Sequence, residues 1–561
     1  MVFSILFVFL SLVCFLLGTN NYGFNLLRFF FQNVNWDYYS PATLRNLAYY
    51  FSFVFCFLAF SSYKYEHLKG NSILRKVGSV YLNIKLMFFN KMKNLSFSFT
   101  LHTLTLVLII LLGLLARAYK MPLPILYDEA ATYLDYCDGG FTSFLKIWNV
   151  NNHLTNTLLM KVSIEIFGNS PPALRLPSFV FGFVNLLLIY YISNQLHGKL
   201  TALISTFLYS CTPVLIHFES QARGYSIKVT FTLLLFIACF HFLQKPSKTY
   251  LFIISFISSL GFLTIFSFIF PFFGSLIWIV YELYKKNKFE KKIIANYIFL
   301  IIVYTKIISI FFYTPSIILS NGIYNILKIS RAGNMNVYGS FPVDIPNFFA
   351  EFLDMLFFNN VPLTIIIFCF LGYTFLKENQ LTSLMFSQFV SAAIIIIALS
   401  AIFPSRVFIY IIPFIILSVS VLISKIFLSI KSGYYFILPI LQILIYTYFI
   451  ENKVVDHYHG FIDSGMTDIV EKLKTLPSPP FNSKILLTAH MGFYKSFKYY
   501  HRINNLPTIE MYNDNDDSKS IGISNQALYI ISSKHENIID ENLTKIFETN
   551  EFEIYRSNTF Q

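Results

Sequence analysis

Pro124-Ile125-Leu126-Tyr127-Asp128-Glu129-Ala130 comes shortly after the apolar run Leu101–Leu115, at the head of a long polar-to-mixed segment reaching Pro177. The run is long enough to cross, or nearly cross, a bilayer, so the two acids sit just past a membrane boundary, where the ordinary anchors are aromatic or basic. Two readings fit them. Asp128 can N-cap the next helix, with Glu129, Ala130 and Ala131 in its first turn. Alternatively the pair does chemistry, because Asn151-Asn152-His153 and Leu174-Arg175-Leu176-Pro177 follow in the same segment and add an imidazole and a guanidinium.

Working outward, the whole chain has the composition of a polytopic membrane protein: 561 residues, 55% hydrophobic, 19% aromatic and only 13% charged. Its formal charge of +13 would suggest a nucleic-acid partner in a soluble protein. Here the cations gather in short connections between apolar runs, as orientation signals do, so a lipid bilayer and no nucleic acid is the expected surrounding. Of the six cysteines, Cys14, Cys56, Cys211, Cys239 and Cys369 lie in or beside apolar runs and Cys137 in a loop. That spacing gives neither a disulfide framework nor a zinc site, and the expectation is no metal and no cofactor. Val2–Leu17 lacks a basic leader and a small-residue cleavage site, and reads as a retained span.

Apolar runs at 2–18, 46–62, 101–118, 174–195, 200–217, 225–243, 249–266, 267–284, 294–315, 362–376, 383–402, 405–425 and 433–450 suggest about thirteen spans. The break between the two runs from Tyr250 to Tyr284 is expected near Phe270-Pro271. Lysines and arginines fill the connections 64–93, 245–248, 285–292, Lys377 and 425–431, and threading the spans places all of these on the cytoplasmic side. Segments 119–173, 316–361 and 451–561 then lie on the extracytoplasmic side of the plasma, or inner, membrane. The expected fold is an all-α polytopic core with a small C-terminal soluble α/β domain, divided as 1–100 (two spans and a basic loop), 101–450 (core) and 451–561 (outer domain). In that last part, Ser464–Leu476 reads as a capped amphipathic helix, Lys484–Thr488 and Ala527–Ser532 as strands, and the acidic 513–517 as a solvated turn.

Arginines at outer helix ends stand against the orientation rule. Arg175, Arg223 in Gln221-Ala222-Arg223-Gly224-Tyr225, and Arg406 in Pro404-Ser405-Arg406 all fall at one expected depth. Each could snorkel to headgroups or pair with a neighbour such as Glu219. Three together favour a shared anion, and where membrane meets water the simplest anion is a lipid phosphate, which a guanidinium matches in shape.

Tyr127-Asp128-Glu129, Asn152-His153, Gly168 through Pro177, Gln221 through Tyr225, and Arg406 through Pro413, in that order, resemble the polyprenyl-phosphate-sugar-dependent GT-C glycosyltransferases. The nearest likeness is to bacterial relatives of protein O-mannosyltransferases and of the lipid A aminoarabinose transferase, over roughly 101–425. The resemblance implies inverting transfer of a sugar from a polyprenyl-phosphate donor to a lipid, glycan or protein acceptor on the outer face, with Asp128 catalytic. Glu129, His153, Arg175, Arg223, Tyr225 and Arg406 are the expected substrate-binding residues. One departure is His153-Leu154-Thr155, where many relatives have His-Pro-Pro. The chemistry suits the inventory: one carboxylate can take the acceptor proton, and a phosphate leaving group needs cations rather than a second acid. A lipid-linked-sugar flippase or transporter would share the hydropathy, but it would collect ionisable residues at mid-membrane rather than at one face. An oligosaccharide polymerase or ligase would differ in using a lipid diphosphate.

Overall fold

The computed structural model describes residues 100–139, 143–145, 151–285, 290–320, 347, 350–354, 379–399, 402–426 and 435–451, and in the C-terminal part 465–475, 484–487, 491–503, 509–511, 527–533, 543–548 and 552–557. The expected spans at 2–18, 46–62 and 362–376 and the acidic turn at 513–517 lie outside the described residues.

The core helices are α1 (Leu101–Lys120), α2 (Tyr127–Thr132), α3 (Leu154–Phe167), α4 (Pro171–His197), α5 (Lys199–Cys211), α6 (Pro213–Glu219), α7 (Tyr225–Gln244), α8 (Lys248–Thr264), α9 (Ile269–Lys285), α10 (Lys291–Leu319), α11 (Asn379–Leu399), α12 (Ile412–Ile426) and α13 (Ile437–Glu451). Among the described residues six helical stretches are long and apolar enough to cross a membrane, and seven if α5 and α6 form one broken span. At 20 residues, α1 is about 30 Å long, the thickness of a hydrocarbon core. The protein is thus a multi-pass membrane protein.

Local chemistry sets the boundaries. Ser170 caps α4 by accepting from the Ala173 N–H, and prolines occupy the first turn, where no amide is needed. Gly168 and Gly198 stand at φ of 79° and 86° and end α3 and α4 in a conformation that costs glycine little. Two boundaries differ from the hydropathy reading. The expected single span over 200–217 is bent by 67° between α5 and α6, because Pro213 opens a new helix and cannot continue the old one. The turn between α8 and α9 falls at Ile265–Phe268, earlier than Phe270-Pro271, since a proline fits the first turn of α9.

Traced in order, α4, α7, α9 and α12 start at one end of the bundle and α1, α5, α8, α10 and α11 finish there. Side-chain bonds agree: Arg175 at the start of α4 reaches the Lys120 carbonyl at the end of α1, and Lys228 in α7 reaches Ser267 and the Val407 carbonyl. At the other end lie Lys199, Lys245, Lys248, Lys285, Lys291, Lys292 and Lys425. α7 is the central helix, packed by α4, α8 and α9 and buried along most of its length. Under its start, Glu219 accepts from Arg117 Nε (2.7 Å), Asn185 (2.8 Å) and the Tyr209 hydroxyl (2.6 Å), joining four helices through one buried carboxylate.

The C-terminal part contains α14 (Gly465–Thr475), α15 (Met491–Ile503) and a five-stranded sheet of β1 (Lys484–Leu487), β2 (Ile509–Met511), β3 (Ala527–Ser533), β4 (Leu543–Glu548) and β5 (Phe552–Ser557). Strand order is β2-β1-β3-β5-β4; β1 is parallel to both neighbours, whereas β5 is antiparallel to β3 and β4. This α/β unit shares a buried cluster with the core: Ile469, Leu473, Phe497, Tyr499, Tyr500 and Ile554 meet Ile125, Ala130, Tyr133, Leu174 and Ala222.

Candidate active site

The heptapeptide folds into the short helix α2 with Leu126 as its extended N-cap residue. Leu126 has no polar side chain, and Glu129 does the capping by accepting the Leu126 N–H at 2.8 Å. Its other oxygen accepts the Ala222 N–H at 2.6 Å, and Arg175 grips both, through Nε at 2.9 Å and Nη2 at 2.6 Å. The rest of the guanidinium is held by the carbonyls of Lys120, Met121, Leu123 and Pro124. Every N–H of Arg175 therefore has a protein acceptor. Burial alone would raise the Glu129 pKa, but the adjoining Arg175 and the hydrogen bonds outweigh it and leave the carboxyl below its ordinary value. Glu129 and Arg175, expected among the substrate-binding residues, stitch the loop after α1 to α4 and to the turn before α7.

Asp128 stands apart from this node. It is not the helix cap; its side chain remains 34% exposed and meets Asn151 Nδ2 at 3.2 Å and Arg223 Nη2 at 3.5 Å. Arg223, burial in the opposite sense, then Arg406 and the Asn151 bond act on it, and the net effect lowers its pKa and favours the ionised form. Arg223 is itself buried, reaching Thr132 Oγ1 at 3.4 Å and Asn151 Oδ1 at 3.3 Å, while its Nε has no hydrogen-bond partner among the described residues. Arg406 is the second residue of a 3-10 turn, Ser405–Ile411, that is fixed on both sides: Ser405 donates to Glu351 at 2.7 Å and Lys228 donates to the Val407 carbonyl at 2.7 Å.

His153 links the two halves. Its Nδ1 accepts the Gly224 N–H at 2.8 Å, which puts the ring proton on Nε2, and its ring meets Tyr225 edge to face at 5.5 Å. Burial, with Arg223, Lys228 and Arg406 nearby, pushes its pKa well below the usual histidine value, so the ring is neutral. Gly224 permits this approach, since an added Cβ would lie 3.0 Å from His153. Tyr225 in turn lies under Arg223, with the guanidinium carbon 5.9 Å from its ring.

Asp128, His153, Arg223, Tyr225 and Arg406 thus come from four separate stretches to one end of the bundle. Thr132 and Lys228 join them without having been expected, as does Asn151, which the sequence offered only as a neighbour of His153. Lys228 carried the clearest signal, being a cation in the first turn of an otherwise apolar span. Asn151 and Thr132, by contrast, are ordinary loop and helix residues until Arg223 is placed beside them. Among the described residues, no group of three or more His, Cys, Asp or Glu gathers as metal ligands would.

Residues 155–311 match the family model described as dolichyl-phosphate-mannose-protein mannosyltransferase. The structure is similar to ArnT from Cupriavidus metallidurans bound to undecaprenyl phosphate, at 12% identity and a TM-score of 0.54, covering 80% of this chain and 97% of that one. The apo state of the same protein aligns at 12% identity with a TM-score of 0.53, over 80% and 97% of the two chains. An Archaeoglobus fulgidus oligosaccharyltransferase aligns at 14% identity with a TM-score of 0.43, over 78% and 70%. No curated protein matches the sequence.

Proposed function

We propose, for a chain with the GT-C fold of the lipid-linked-sugar glycosyltransferases, that the protein is an integral-membrane inverting transferase using a polyprenyl-phosphate sugar. The observation that carries this reading is the division of labour between adjacent acids. Glu129 is buried in a scaffold, whereas Asp128 is partly exposed, ionised, and beside Arg223 with Arg406 nearby. A base and a cationic pocket for a departing phosphate are what such a transfer requires.

In the proposed reaction, Asp128 takes the proton of an acceptor hydroxyl as its oxygen forms the new glycosidic bond from the face opposite the phosphate. The bond from the anomeric carbon to the phosphate oxygen breaks, and its electrons remain on the polyprenyl phosphate. Arg223 and Arg406 balance that developing charge, while Asn151 orients both Asp128 and Arg223. His153, neutral and tied to Gly224, holds the Arg223 turn, and Tyr225 supports the guanidinium from below. Glu129 and Arg175 keep the loop in place. The undecaprenyl phosphate bound by the Cupriavidus ArnT supports a ligand of this class. The lysines at the opposite end of the bundle support an extracytoplasmic site with the lysine-rich connections in the cytoplasm, and so a plasma-membrane location.

The test is to incubate the purified protein with polyprenyl-phosphate sugars extracted from its own membranes and to identify the products by mass spectrometry. Release of polyprenyl monophosphate together with a glycosylated acceptor is expected. Release of a diphosphate would point to a polymerase or ligase, and movement of intact donor across vesicles without release would point to a flippase.

A further inference from the structure

The segment leading into α2, which carries Asp128, is braced by the C-terminal domain through a backbone group. Ile125 donates its N–H to the Tyr500 hydroxyl at 2.8 Å. On the other side of α2, Tyr499 packs edge-on against Tyr133 at 5.0 Å, Lys495 pairs with Asp135 at 2.6 Å, and Arg502 pairs with Asp138 at 3.2 Å. All four contacts come from α15, and they bracket Asp128, with Ile125 before it and Tyr133 to Asp138 after it.

A six-residue helix cannot hold itself in water or at a membrane surface, because nucleation of so short a helix is unfavourable. The amides at its start also need partners from elsewhere. Here the N-cap Leu126 amide goes to the Glu129 side chain of the helix itself, and the Ile125 amide, one residue ahead of the cap, goes to Tyr500, so one of these two anchors of the helix entry belongs to the C-terminal domain. The ion pairs are partly exposed and individually weak, but they set α15 in register with its basic side against the acids that follow α2.

We propose that Tyr500 is a positioning residue for the transfer reaction: its hydroxyl fixes the backbone ahead of Asp128 and so keeps the carboxylate in line with the acceptor. This rests on the reading of Asp128 as the base. It makes the C-terminal domain part of the support of the active site.

The test is Tyr500→Phe, which keeps the ring in its apolar cluster and removes only the hydroxyl. Amide exchange over residues 121–130 should quicken by about tenfold, and single-turnover sugar transfer should slow by about tenfold, the order expected when a reacting group loses its alignment. Donor affinity should stay within about twofold, because Arg223 and Arg406 are held by other contacts. Transfer at the parent rate would overturn the proposal, as would unchanged exchange or a loss of donor affinity matching the loss of rate. A parent protein that transfers no sugar would defeat the proposed reaction instead, and the exchange measurement would still decide whether Tyr500 braces the loop.

Discussion

Replacing Glu129 by Gln separates a scaffold acid from a catalytic one. The carboxylate is fully buried and accepts four hydrogen bonds, two from Arg175 and one each from the Leu126 and Ala222 amides. Glutamine keeps one oxygen, so one pair of donors would face an NH2 group and Arg175 would remain buried without a counter-charge. Breaking a buried pair from one side costs roughly 3–5 kcal/mol, a large share of the roughly 5–15 kcal/mol that holds an ordinary domain together. Glu129→Gln should therefore melt well below the parent in detergent, followed by intrinsic fluorescence, and the fraction still folded at low temperature should transfer sugar at a substantial rate. The double variant Glu129→Gln with Arg175→Met should be less destabilised than the sum of the singles, by roughly 0.5–3 kcal/mol of coupling. A Glu129→Gln protein with the parent melting midpoint and no transfer would refute the reasoning and make Glu129 the reacting acid.

Arg223→Lys and Arg406→Lys keep the charge but lose the forked donor geometry, so each should weaken binding of polyprenyl phosphate by about tenfold in equilibrium titration; parent-like binding in both would remove the phosphate assignment. Asp128 and Glu129 both ionise more readily than ordinary carboxyls. A carboxyl depressed on folding contributes stability above its unfolded pKa and loses it as pH falls through the folded one. Melting midpoints and transfer rates should thus hold from about pH 8 down to about pH 5 and fall on the acid side only below about pH 4, and an acid limb centred near neutrality would contradict this. A reporter active only after export should work when fused after Gln561, and activity of a cytoplasm-only reporter there would reverse the proposed orientation.

Much of this arrangement is legible in the sequence for a physical reason: a bilayer demands long apolar helices, and hydropathy finds them. The helices at 101–120, 171–197, 225–244 and 291–319 lie close to the expected runs. What hydropathy cannot see is how one imino acid is used: Pro213 opens a new helix and bends the expected span, whereas Pro271 is taken into the first turn of α9, so the turn before it falls at Ile265–Phe268. The same limit applies to the site. Asp128 and Glu129 are equivalent as letters, and only the arrival of Arg175 and the Ala222 amide, far along the chain, gives one of them to the scaffold. Arg175 and Arg223 likewise share a charge and an end of the bundle, yet Arg175 is ringed by backbone carbonyls and Arg223 is not. The contribution of α15 is hidden for another reason: residues 491–503 carry basic and aromatic letters that say nothing of the surface they meet.

The most direct test is single-turnover transfer from a labelled polyprenyl-phosphate sugar by purified Asp128→Asn. Asn151 and Arg223 can still contact an amide at that position, and the cap of α2 is supplied by Glu129, so the variant should fold, insert and bind donor like the parent. Without the base, transfer should slow by roughly 10²–10⁴-fold, the usual worth of a positioned proton acceptor. Transfer at close to the parent rate by a folded, donor-binding Asp128→Asn protein would mean that this carboxylate does not take the acceptor proton.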